Sequence, residues 1–438
     1  MHLSGQRILV MGMGRSGASA AKYALAQGAT VTCTDVRTDA AQIEGCTHVY
    51  GYHDRLDFLE ADLIIVSPGV PAAQKDLTAA AAAGVPIISE LAFAAERLQA
   101  AGVPLLGVTG TNGKSSVTDF TAQLLRAAGL RVFAGGNLGH PLTEALSQTD
   151  ELDVAVVEVS SYQLELPGKL APHAAVLLNL SPDHLGRHKT MENYATTKAR
   201  LFGQMAPGSL AAIPALDRSG LLSHGDTQAQ RCWLGRSPGV RVSDNQIVLE
   251  GTRDDGTVDL SSLSLLGTHN KDNAAAAVFL AVAGGAPRSG IDLSTLQALP
   301  HRLQPVHEQG GVRWVNDSKA TNVDAALTGI NGIEDPMVVL LGGAGKPGAD
   351  YDRLRTALKA QARAVICFGA AGPEIAKALH GLPIHHASSL AEAVHTAAGL
   401  AQASEVVLLS PACASFDEFT DFEDRGRAFS ALAREIQA

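Results

Sequence analysis

Short apolar runs alternate with longer amphipathic segments along almost the whole chain. Apolar stretches such as residues 7–10, 63–66 and 174–179 are each followed by glycine or polar residues. Short apolar runs bounded by turn residues predict buried strands, and the segments between them have the spacing of helices. Strands that alternate with helices form mostly parallel sheets, so we expect an α/β fold with ligand sites at the carboxyl ends of the strands.

The length of 438 residues predicts about three domains at ~150 residues each. Aromatic residues make up 4% of the chain, so the cores depend on aliphatic side chains. A net charge of −10 without any Lys/Arg block argues against nucleic acid or an anionic membrane as a partner. The five cysteines are widely spaced, which indicates neither a disulfide framework nor a zinc site. Because no signal peptide and no apolar run near ~18 residues is present, we expect a cytoplasmic protein.

A glycine-rich turn, Gly107-Val-Thr-Gly-Thr-Asn-Gly-Lys-Ser115, joins the predicted strand 103–106 to a predicted helix, 116–128. Such a turn forms a phosphate cradle, because its backbone N–H groups and the helix N-terminus both favour anions. In a phosphate loop Lys114 would reach the terminal phosphates and Ser115 a Mg²⁺ ion. The general pattern G-x-x-x-x-G-K-[ST] is only half met, because its first glycine is replaced by valine. A turn that binds nothing remains the alternative.

The N-terminal segment has the pattern of a dinucleotide-binding unit. Gly12-Met-Gly-Arg-Ser-Gly17 follows a predicted strand, and a second strand ends at Asp35. Taken alone, the pattern suggests NAD, and a glycine turn that only packs a helix on a sheet is the alternative. The geometry supports a pyrophosphate near the glycines and a polar group near Asp35. Ser67-Pro-Gly69 ends a further strand, where open α/β sheets bind ligands.

Three ionisable residues stand out in the middle of the chain. Glu158 lies near the end of the apolar run 153–159, where a carboxylate is costly unless a cation meets it. A Mg²⁺ ion on the glycine-rich turn would meet it, and an ordinary buried ion pair is the alternative. His184 follows a predicted strand and is either a metal ligand or a polar turn residue. Lys198 has the pattern of a solvated helix lysine.

The last third of the chain repeats strand ends that are rich in polar and glycine residues. Three predicted strands lead into Asn316-Asp-Ser-Lys-Ala-Thr-Asn322, Gly342-Gly-Ala-Gly-Lys346 and Ser410-Pro-Ala-Cys-Ala-Ser-Phe-Asp417. Because parallel strands end at the same edge of a sheet, this edge is predicted to be a ligand surface. Before it, Asn270 and Asn273 stand at the start of an alanine-rich helix, where they either cap the helix or read an adenine edge.

Taken together, these motifs resemble those of the Mur ligase family over essentially the whole chain. The family's phosphate loop, Thr-Gly-Thr-Asn-Gly-Lys-[Ser/Thr], is matched by Thr109 to Ser115, which explains the half match to the general pattern. The resemblance implies a Rossmann-like UDP-binding domain at residues 1–92, a central P-loop ATPase-like domain at 93–298 and a Rossmann-like glutamate-binding domain at 299–438. The matching motifs are GMGRSG, GTNGKSS, EVSSYQLE, PDH, HNKDN, PHR, NDSKATN, LLGG and SPACASFDEF.

The resemblance implies that the first domain binds UDP rather than NAD. The residues expected at the uracil and the diphosphate are Arg15, Ser16, Asp35, Arg37, Ser67, Pro68 and Gly69. Those expected near the muramoyl-alanine part are Asn137, Ser160 and Gln163. Those expected to hold the incoming glutamate are Lys319, Thr321, Lys346, Ser415 and Phe422.

The resemblance also implies ATP and two Mg²⁺ ions in the central domain. One ion would lie on Ser115, Glu158 and the phosphates, and the other on His184 and on Lys198 as a carbamate. The ATP-binding residues would be Gly110, Thr111, Asn112, Gly113, Lys114, Ser115, Ser116, Asn270, Asn273, Arg302 and Asp317. The residues implied in catalysis are Lys114, Asn137, His184 and Lys198.

The implied reaction joins D-glutamate to the alanyl carboxyl group of UDP-N-acetylmuramoyl-L-alanine in peptidoglycan precursor synthesis. A carboxylate does not react with an amine at neutral pH, so ATP first converts it to an acyl phosphate and ADP leaves. The amine then displaces phosphate, while Lys114 and the two ions neutralise charge on the transferring phosphoryl group. Ligands spread over three domains predict domain closure, and the enzyme is expected to be a monomer.

Two other functions are consistent with part of the sequence. An NAD-dependent oxidoreductase would use the N-terminal pattern and Asp35, but it leaves the phosphate loop and Glu158 without a role. A non-catalytic nucleotide switch would hydrolyse ATP slowly, without response to an amino acid. Within the family, diamino-acid ligases usually carry Asp-Asn-Pro where this chain has Asn316-Asp-Ser. The sequence alone leaves the choice between D- and L-glutamate open.

Overall fold

The computed structural model of the chain describes residues 3–137, 139–166, 168–217, 219–265, 267 and 269–436. The chain divides into two compact units. The first unit comprises Met1–Ser262 and Asn273–Thr295, and the second comprises Leu263–Asp272 and Leu296–Ala438. In the described part of the chain the named strands form three mostly parallel sheets, which confirms the predicted α/β fold.

The N-terminal sheet is fully parallel and has the strand order β3-β2-β1-β4-β5. Its strands are β1 (Arg7–Met11), β2 (Thr30–Asp35), β3 (Thr47–Tyr50), β4 (Leu63–Val66) and β5 (Ile87–Ser89). Its helices are α1 (Arg15–Ala26), α2 (Arg55–Glu60), α3 (Lys75–Ala82) and α4 (Glu90–Ala100). The order reverses between β1 and β4, so the turns after these two strands flank the point where open α/β sheets bind ligands.

The central sheet belongs to the same unit and has the order β14-β13-β12-β11-β10-β9-β6-β8-β7. Its strands are β6 (Leu105–Thr109), β7 (Val132–Gly136), β8 (Val154–Glu158), β9 (Ala174–Leu177), β10 (Leu210–Pro214), β11 (Gln230–Leu234), β12 (Gly239–Ser243), β13 (Gln246–Glu250) and β14 (Gly256–Asp259). Its helices are α5 (Lys114–Ala127), α6 (Leu185–His188), α7 (Met191–Ala199) and α8 (His269–Ala283). Strands β6, β8 and β9 are buried along their whole length, as parallel strands covered on both faces must be.

The sheet of the second unit has the order β15-β16-β20-β17-β18-β19, and only the pair β15 and β16 among its described strands is antiparallel. Its strands are β15 (Gln304–Gln309), β16 (Val312–Asn316), β17 (Met337–Gly342), β18 (Ala362–Phe368), β19 (Ile384–Ala387) and β20 (Val406–Leu409). Its helices are α9 (Val323–Asn331), α10 (Arg355–Gln361), α11 (Gly372–Ala378), α12 (Leu390–Leu400) and α13 (Phe422–Glu435). Apolar clusters cover both faces of this sheet.

Short 3₁₀ helices complete the secondary structure. They span Leu142–Glu151, Gln163–Glu165, Arg200–Phe202, Arg288–Gly290, Leu293–Thr295 and Tyr351–Leu354. No helix in the described ranges combines the length and the apolar character that crossing a membrane requires.

Candidate active site

The glycine-rich turn predicted to bind phosphate joins β6 to α5. Gly113 has a φ of +85° just before α5, a conformation that favours glycine, and a Cβ there would lie 2.7 Å from Oδ1 of Asn273. Lys114 begins α5, and its Nζ donates to the carbonyl oxygens of Gly110 and Thr111 at 3.0 and 2.8 Å. The turn thus combines a lysine ammonium with a helix N-terminus, an arrangement that binds phosphate.

Asn179, just beyond β9, braces this turn from the neighbouring strand. Its carbonyl oxygen accepts from Thr111 N at 3.0 Å, and its side chain bonds the backbone N and O of Asn112 at 2.8 and 2.9 Å. The Thr111 hydroxyl also accepts from Ser181 N at 3.0 Å. The sequence carries no signal for this role of Asn179, because these bonds join parts of the chain that are far apart.

Glu158 ends β8 beside the strand that leads into the phosphate turn. Val108 of β6 is in register with Glu158, which is 2% exposed. Oε1 of Glu158 accepts a hydrogen bond from Nδ2 of Asn137 at 2.7 Å. Oε2 is buried and has no hydrogen-bond partner among the described residues. A buried carboxylate oxygen without a hydrogen-bond partner or a bound cation costs folding free energy.

The residues around Glu158 fit a Mg²⁺ ion that a nucleotide helps to hold. Ser115 and Ser116 lie in the first turn of α5, next to the phosphate turn, and both are buried. Within the described ranges, no group of three His, Cys, Asp or Glu side chains forms a metal site by itself. Mg²⁺ typically binds one or two protein oxygens together with phosphate oxygens and water. Oε2 of Glu158 is a hard oxygen ligand of the required kind.

Lys198 lies in α7 and is 1% exposed, so its interpretation as a solvated lysine is wrong. Its Nζ donates to Gly110 O at 2.8 Å and lies 4.6 Å from the ring centroid of Tyr194. Burial and then the charge of Lys114 lower the pKa of this amine well below its usual value, against the opposing effect of nearby carboxylates. The shift favours the neutral amine, which is the form that reacts with CO₂, over the ammonium.

His184 directly precedes the short helix α6 and is contacted through both ring nitrogens. Nδ1 lies 3.0 Å from the hydroxyl of Tyr162, and Nε2 lies 3.5 Å from a carboxylate oxygen of Asp183. Arg187 lies over the Tyr162 ring and forms two hydrogen bonds to Glu165, at 2.8 and 2.7 Å. The His184 side chain is 43% exposed, so a ligand can reach it.

Ser160 and Gln163 occupy the turn after β8. Ser160 donates from N and Oγ to Oε1 of Gln163 at 2.9 and 2.8 Å. Because both residues follow Glu158 directly, the structure places these predicted substrate residues at the strand end that carries the candidate metal carboxylate.

Asp35, the last residue of β2, accepts hydrogen bonds from two backbone segments at the carboxyl end of the N-terminal sheet. Its carboxylate accepts from Met13 N at 2.7 Å and from the backbone N, Nε and Nη2 of Arg37 at 2.9, 3.2 and 3.0 Å. Burial would raise the pKa of Asp35, but these hydrogen bonds outweigh it and lower the pKa to about 2. Asp35 is therefore ionised at neutral pH and holds both the turn after β1 and the Arg37 guanidinium.

The turns after β1 and β4 are joined to each other, as expected at the switch point of the sheet. The Ser67 hydroxyl donates to Gly12 O at 2.5 Å, and Pro68 and Gly69 continue the turn. Arg15 and Ser16 are the first two residues of α1. Arg15 also donates to Gly139 O at 3.4 Å, so it reaches the segment after β7 in the central sheet.

In the second unit, Asp317 is a buried carboxylate at the end of β16. It accepts from the Ser410 hydroxyl at 2.8 Å and from Leu303 N at 3.3 Å. Burial raises its pKa to about 7, although these bonds and the charge of Arg302 act in the opposite direction. Near neutral pH the Asp317 carboxyl group is therefore present in both its protonated and its ionised form.

The predicted glutamate-binding residues all belong to the second unit. Lys319 places Nζ 3.6 Å from the ring centroid of Phe422, and Thr321 N donates to the carbonyl oxygen of Lys319 at 2.8 Å. Ser415 is buried after β20, and Lys346 lies in the turn after β17, where its carbonyl oxygen accepts from Ala349 N. The structure thus brings Lys319, Thr321 and Phe422 together.

Arg425 of α13 joins the strand ends of the same sheet. Its guanidinium is fully buried and donates to the carbonyl oxygens of Ser318, Cys413 and Ala414 at 2.9, 3.0 and 3.0 Å. Because arginines on helices are usually exposed, the sequence contained no signal for this arrangement.

Helix α8 begins at His269, so Asn270 and Asn273 lie inside the helix rather than at its cap position. Asn270 is buried, and Asn273 lies against the phosphate turn at Gly113. The position of Asn273 agrees with a role beside a bound nucleotide.

Comparison with known proteins assigns the chain to a family along most of its length. The Mur ligase MurD-like N-terminal domain matches residues 6–89, the Mur ligase middle domain 108–281 and the Mur ligase glutamate ligase domain 301–413. The chain is 40% identical over 467 residues to the UDP-N-acetylmuramoylalanine--D-glutamate ligase of Anaeromyxobacter dehalogenans, across 99% of this chain and 98% of that one. It is 38% identical to the ligase of the same name from Myxococcus xanthus, across 99% of both chains.

A solved structure agrees at the level of the fold. The MurF ligase from Thermotoga maritima in complex with ADP aligns with a TM-score of 0.62 at 17% identity, across 99% of this chain and 98% of that one. The chain therefore belongs to the Mur ligase family and has its three-domain architecture. It is an enzyme of the ligase class. This assignment excludes the alternatives of an NAD-dependent oxidoreductase and a non-catalytic nucleotide switch.

Proposed function

We propose that the protein joins D-glutamate to UDP-N-acetylmuramoyl-L-alanine at the expense of ATP, giving ADP and phosphate. The observation that carries this proposal is the match along nearly the whole chain to relatives named for that reaction. The phosphate turn, the buried Glu158 and the low-pKa amine of Lys198 supply a site in which the chemistry is feasible.

The first step is attack by an alanyl carboxylate oxygen on the γ-phosphorus of ATP. The new P–O bond gives an acyl phosphate, and the bond to ADP breaks. Backbone N–H groups of the turn and the ammonium of Lys114 stabilise negative charge on the phosphoryl oxygens, and the helix dipole of α5 acts in the same direction. Lys114 is held over the turn by Gly110 and Thr111, so it is placed before the nucleotide arrives.

The second step is attack by the amine of D-glutamate on the acyl carbon. An amide bond forms, the C–O bond breaks, and phosphate leaves with the former carboxylate oxygen. The amine must lose a proton before the amide is complete. The cationic and hydroxyl groups proposed to bind the two carboxylates of the amino acid belong to Lys319, Thr321, Lys346 and Ser415. Phe422 is proposed to line the same pocket.

Two Mg²⁺ ions would complete the site. Ser115 and Glu158 would hold one, and His184 and a carbamate on Lys198 would hold the other. Bound there, the ions would neutralise charge on the transferring phosphoryl group. The carbamate would form when the neutral amine of Lys198 adds to CO₂ and loses one proton, so an uncharged amine would become an anionic ligand. The lowered pKa of Lys198 and the unpartnered Oε2 of Glu158 among the described residues support this part of the proposal.

The first domain is proposed to bind the UDP part of the substrate. Arg37, held by Asp35, would contact the uracil, and Arg15, Ser16 and the Ser67 to Gly69 turn would lie at the diphosphate. Asn137, Ser160 and Gln163 would lie near the muramoyl-alanine end. Asn270, Asn273, Arg302 and Asp317 would contact the nucleoside and the phosphates of ATP.

The proposal includes domains at residues 1–92, 93–298 and 299–438, a cytoplasmic location and a monomeric state. Water-soluble nucleotide substrates support the location. Light scattering after size exclusion should give a mass near 45.3 kDa. Small-angle scattering should detect compaction when an ATP analogue and the UDP substrate are added.

The function is tested by phosphate release with ATP, Mg²⁺ and UDP-N-acetylmuramoyl-L-alanine across a panel of amino acids. Strong turnover should require D-glutamate, Lys114→Ala should abolish it, and NAD should not bind. Equal turnover with L-glutamate or with a diamino acid would contradict the proposed specificity. Phosphate release that ignores the acceptor would instead favour simple ATP hydrolysis.

A further inference from the structure

A buried carboxylate at the start of α4 holds the segment that follows β7. Oε1 of Glu90 accepts from Thr143 N at 2.8 Å and from the Thr143 hydroxyl at 2.9 Å. The Thr143 hydroxyl also lies 2.6 Å from the Ser19 hydroxyl of α1. Glu90 is 1% exposed and Thr143 is 2% exposed, so both groups are removed from solvent.

The held segment begins at the candidate metal carboxylate. Gly136 has a φ of +94°, and a Cβ there would lie 2.4 Å from Glu158 O, so the backbone passes against Glu158. Asn137 donates from N to Glu158 O at 2.9 Å and from Nδ2 to Oε1 at 2.7 Å. A hydrogen bond from Gly136 N to His140 O at 2.7 Å closes the turn. Asn137 therefore depends on how this turn is anchored.

The other end of the turn leads directly to Thr143. Glu144 N donates to Pro141 O at 3.0 Å, and the Glu144 carboxylate lies 2.9 Å from Nδ1 of His140. Thr143, held by Glu90, is thus three residues along the chain from His140, whose carbonyl oxygen closes the turn that carries Asn137 to Glu158.

We propose that Glu90 is a positioning residue, which through Thr143 fixes the turn bearing Asn137 and thereby orients the Glu158 carboxylate for a divalent cation. This inference rests on the proposed role of Glu158 in metal binding. Anchoring on Oε1 by Asn137 leaves Oε2 as the oxygen available to the ion. Removing a partner that orients a metal ligand commonly weakens metal affinity by about 10- to 100-fold. Because Glu90 acts through Thr143 and the turn, we expect a smaller effect.

Burial of Glu90 is better explained by positioning than by fold stability. Burial raises the pKa of this carboxyl to about 7, although the two bonds from Thr143 lower it and Glu144 raises it. An ionisable group in this place therefore costs folding free energy near neutral pH, relative to a neutral side chain of the same shape.

The test is the affinity for Mn²⁺, measured by electron paramagnetic resonance in the presence of ADP, so that it does not depend on turnover. Thr143→Val, which removes the hydroxyl, and Glu90→Gln, which removes the charge, should each weaken Mn²⁺ binding about threefold to tenfold. Thr143→Ser should restore wild-type affinity. Thr328→Val is the matched control, because its hydroxyl bonds only Asp324 O in the described hydrogen bonds of α9.

A double-mutant cycle separates positioning from general destabilisation. Asn137→Ala alone should weaken Mn²⁺ binding, and adding Thr143→Val to it should cause little further loss, because both changes act through the same turn. Additive losses, or unchanged Mn²⁺ affinity with a lowered melting temperature, would overturn the inference. If the wild-type protein binds Mn²⁺ normally but shows no turnover with D-glutamate, the proposed function fails while this inference stands.

Discussion

Asn137 donates a hydrogen bond to Oε1 of Glu158 at 2.7 Å, while Oε2 of the same carboxylate is buried without a partner among the described residues. One oxygen is thus fixed by the protein and the other is left for a cation. Glu158 is in register with Val108, just before the phosphate turn, so this oxygen lies at the end of the strand next to the turn, as the proposed metal-binding role requires.

Replacing Glu158 by glutamine should remove most of the activity. The amide keeps the shape of the side chain but removes the negative charge and can present an N–H donor to the cation. We expect the rate of phosphate release to fall at least about 100-fold, with Mn²⁺ binding weakened in parallel. Glu151→Gln, at an exposed position, is the control and should retain wild-type activity. Retention of half the activity by Glu158→Gln would exclude this role.

Carbamylation of Lys198 should make activity depend on CO₂. The lowered pKa favours the neutral amine that reacts with CO₂, and acidification protonates this amine and reverses the reaction. Protein depleted of CO₂ at pH 6 should lose activity and regain it with bicarbonate. Labelling with ¹³C-bicarbonate should give a carbamate resonance that is absent from Lys198→Arg. The same resonance in the variant would assign it to another lysine.

Asp317 should contribute a loss of stability as the pH rises from about 4 through 7, while His269, whose pKa burial lowers to about 4, acts in the opposite direction. The ordinary pKa of Asp317 is 3.8 and its folded pKa is about 7, so between these values the folded protein keeps a proton that the unfolded chain has released. The cost by pH 8 is roughly 4 kcal/mol at most. Glu90 acts in the same direction as Asp317.

Denaturant unfolding at several pH values tests this prediction. Relative to the wild-type protein, Asp317→Asn should gain free energy of unfolding as the pH rises from 5 to 8, because the variant lacks the proton that Asp317 keeps in the folded state. Asp352→Asn, which changes an exposed carboxylate paired with Arg355, should leave the slope unchanged. An unaltered slope in Asp317→Asn would mean that this carboxyl is ionised throughout the range.

Asn179→Ala should weaken ATP binding selectively. The variant loses two side-chain hydrogen bonds to Asn112, so the phosphate turn becomes less well ordered before ATP binds. We expect KM for ATP to rise about tenfold, while KM for the UDP substrate stays within twofold. Equal increases in both constants would indicate a general loss of structure.

The sequence predicted the strongly apolar strands and the glycine-rich or polar turns that follow them. Apolar runs such as β4 and β9 were found because a strand covered on both faces has a simple pattern, and the turns after β1 and β6 are marked by their glycines. Short, half-buried strands such as β3 and β19 were not predicted, since their apolar pattern is weak.

The residues that hold the site's loops in place could not be predicted, because their hydrogen bonds join distant parts of the chain. Glu90 and Thr143 are separated by 53 positions, and Asn112 and Asn179 by 67. Lys198 was misjudged on its own pattern because α7 buries polar residues, including Thr197, beside it. Only the resemblance to the family suggested a role for that lysine.

The most direct test of the central claim is the fate of the substrate's carboxyl oxygens. With both alanyl carboxylate oxygens labelled by ¹⁸O, an acyl phosphate predicts that the released phosphate carries one ¹⁸O atom and the new amide keeps the other. Unlabelled phosphate, or label found in AMP, would contradict activation by transfer of the terminal phosphoryl group of ATP.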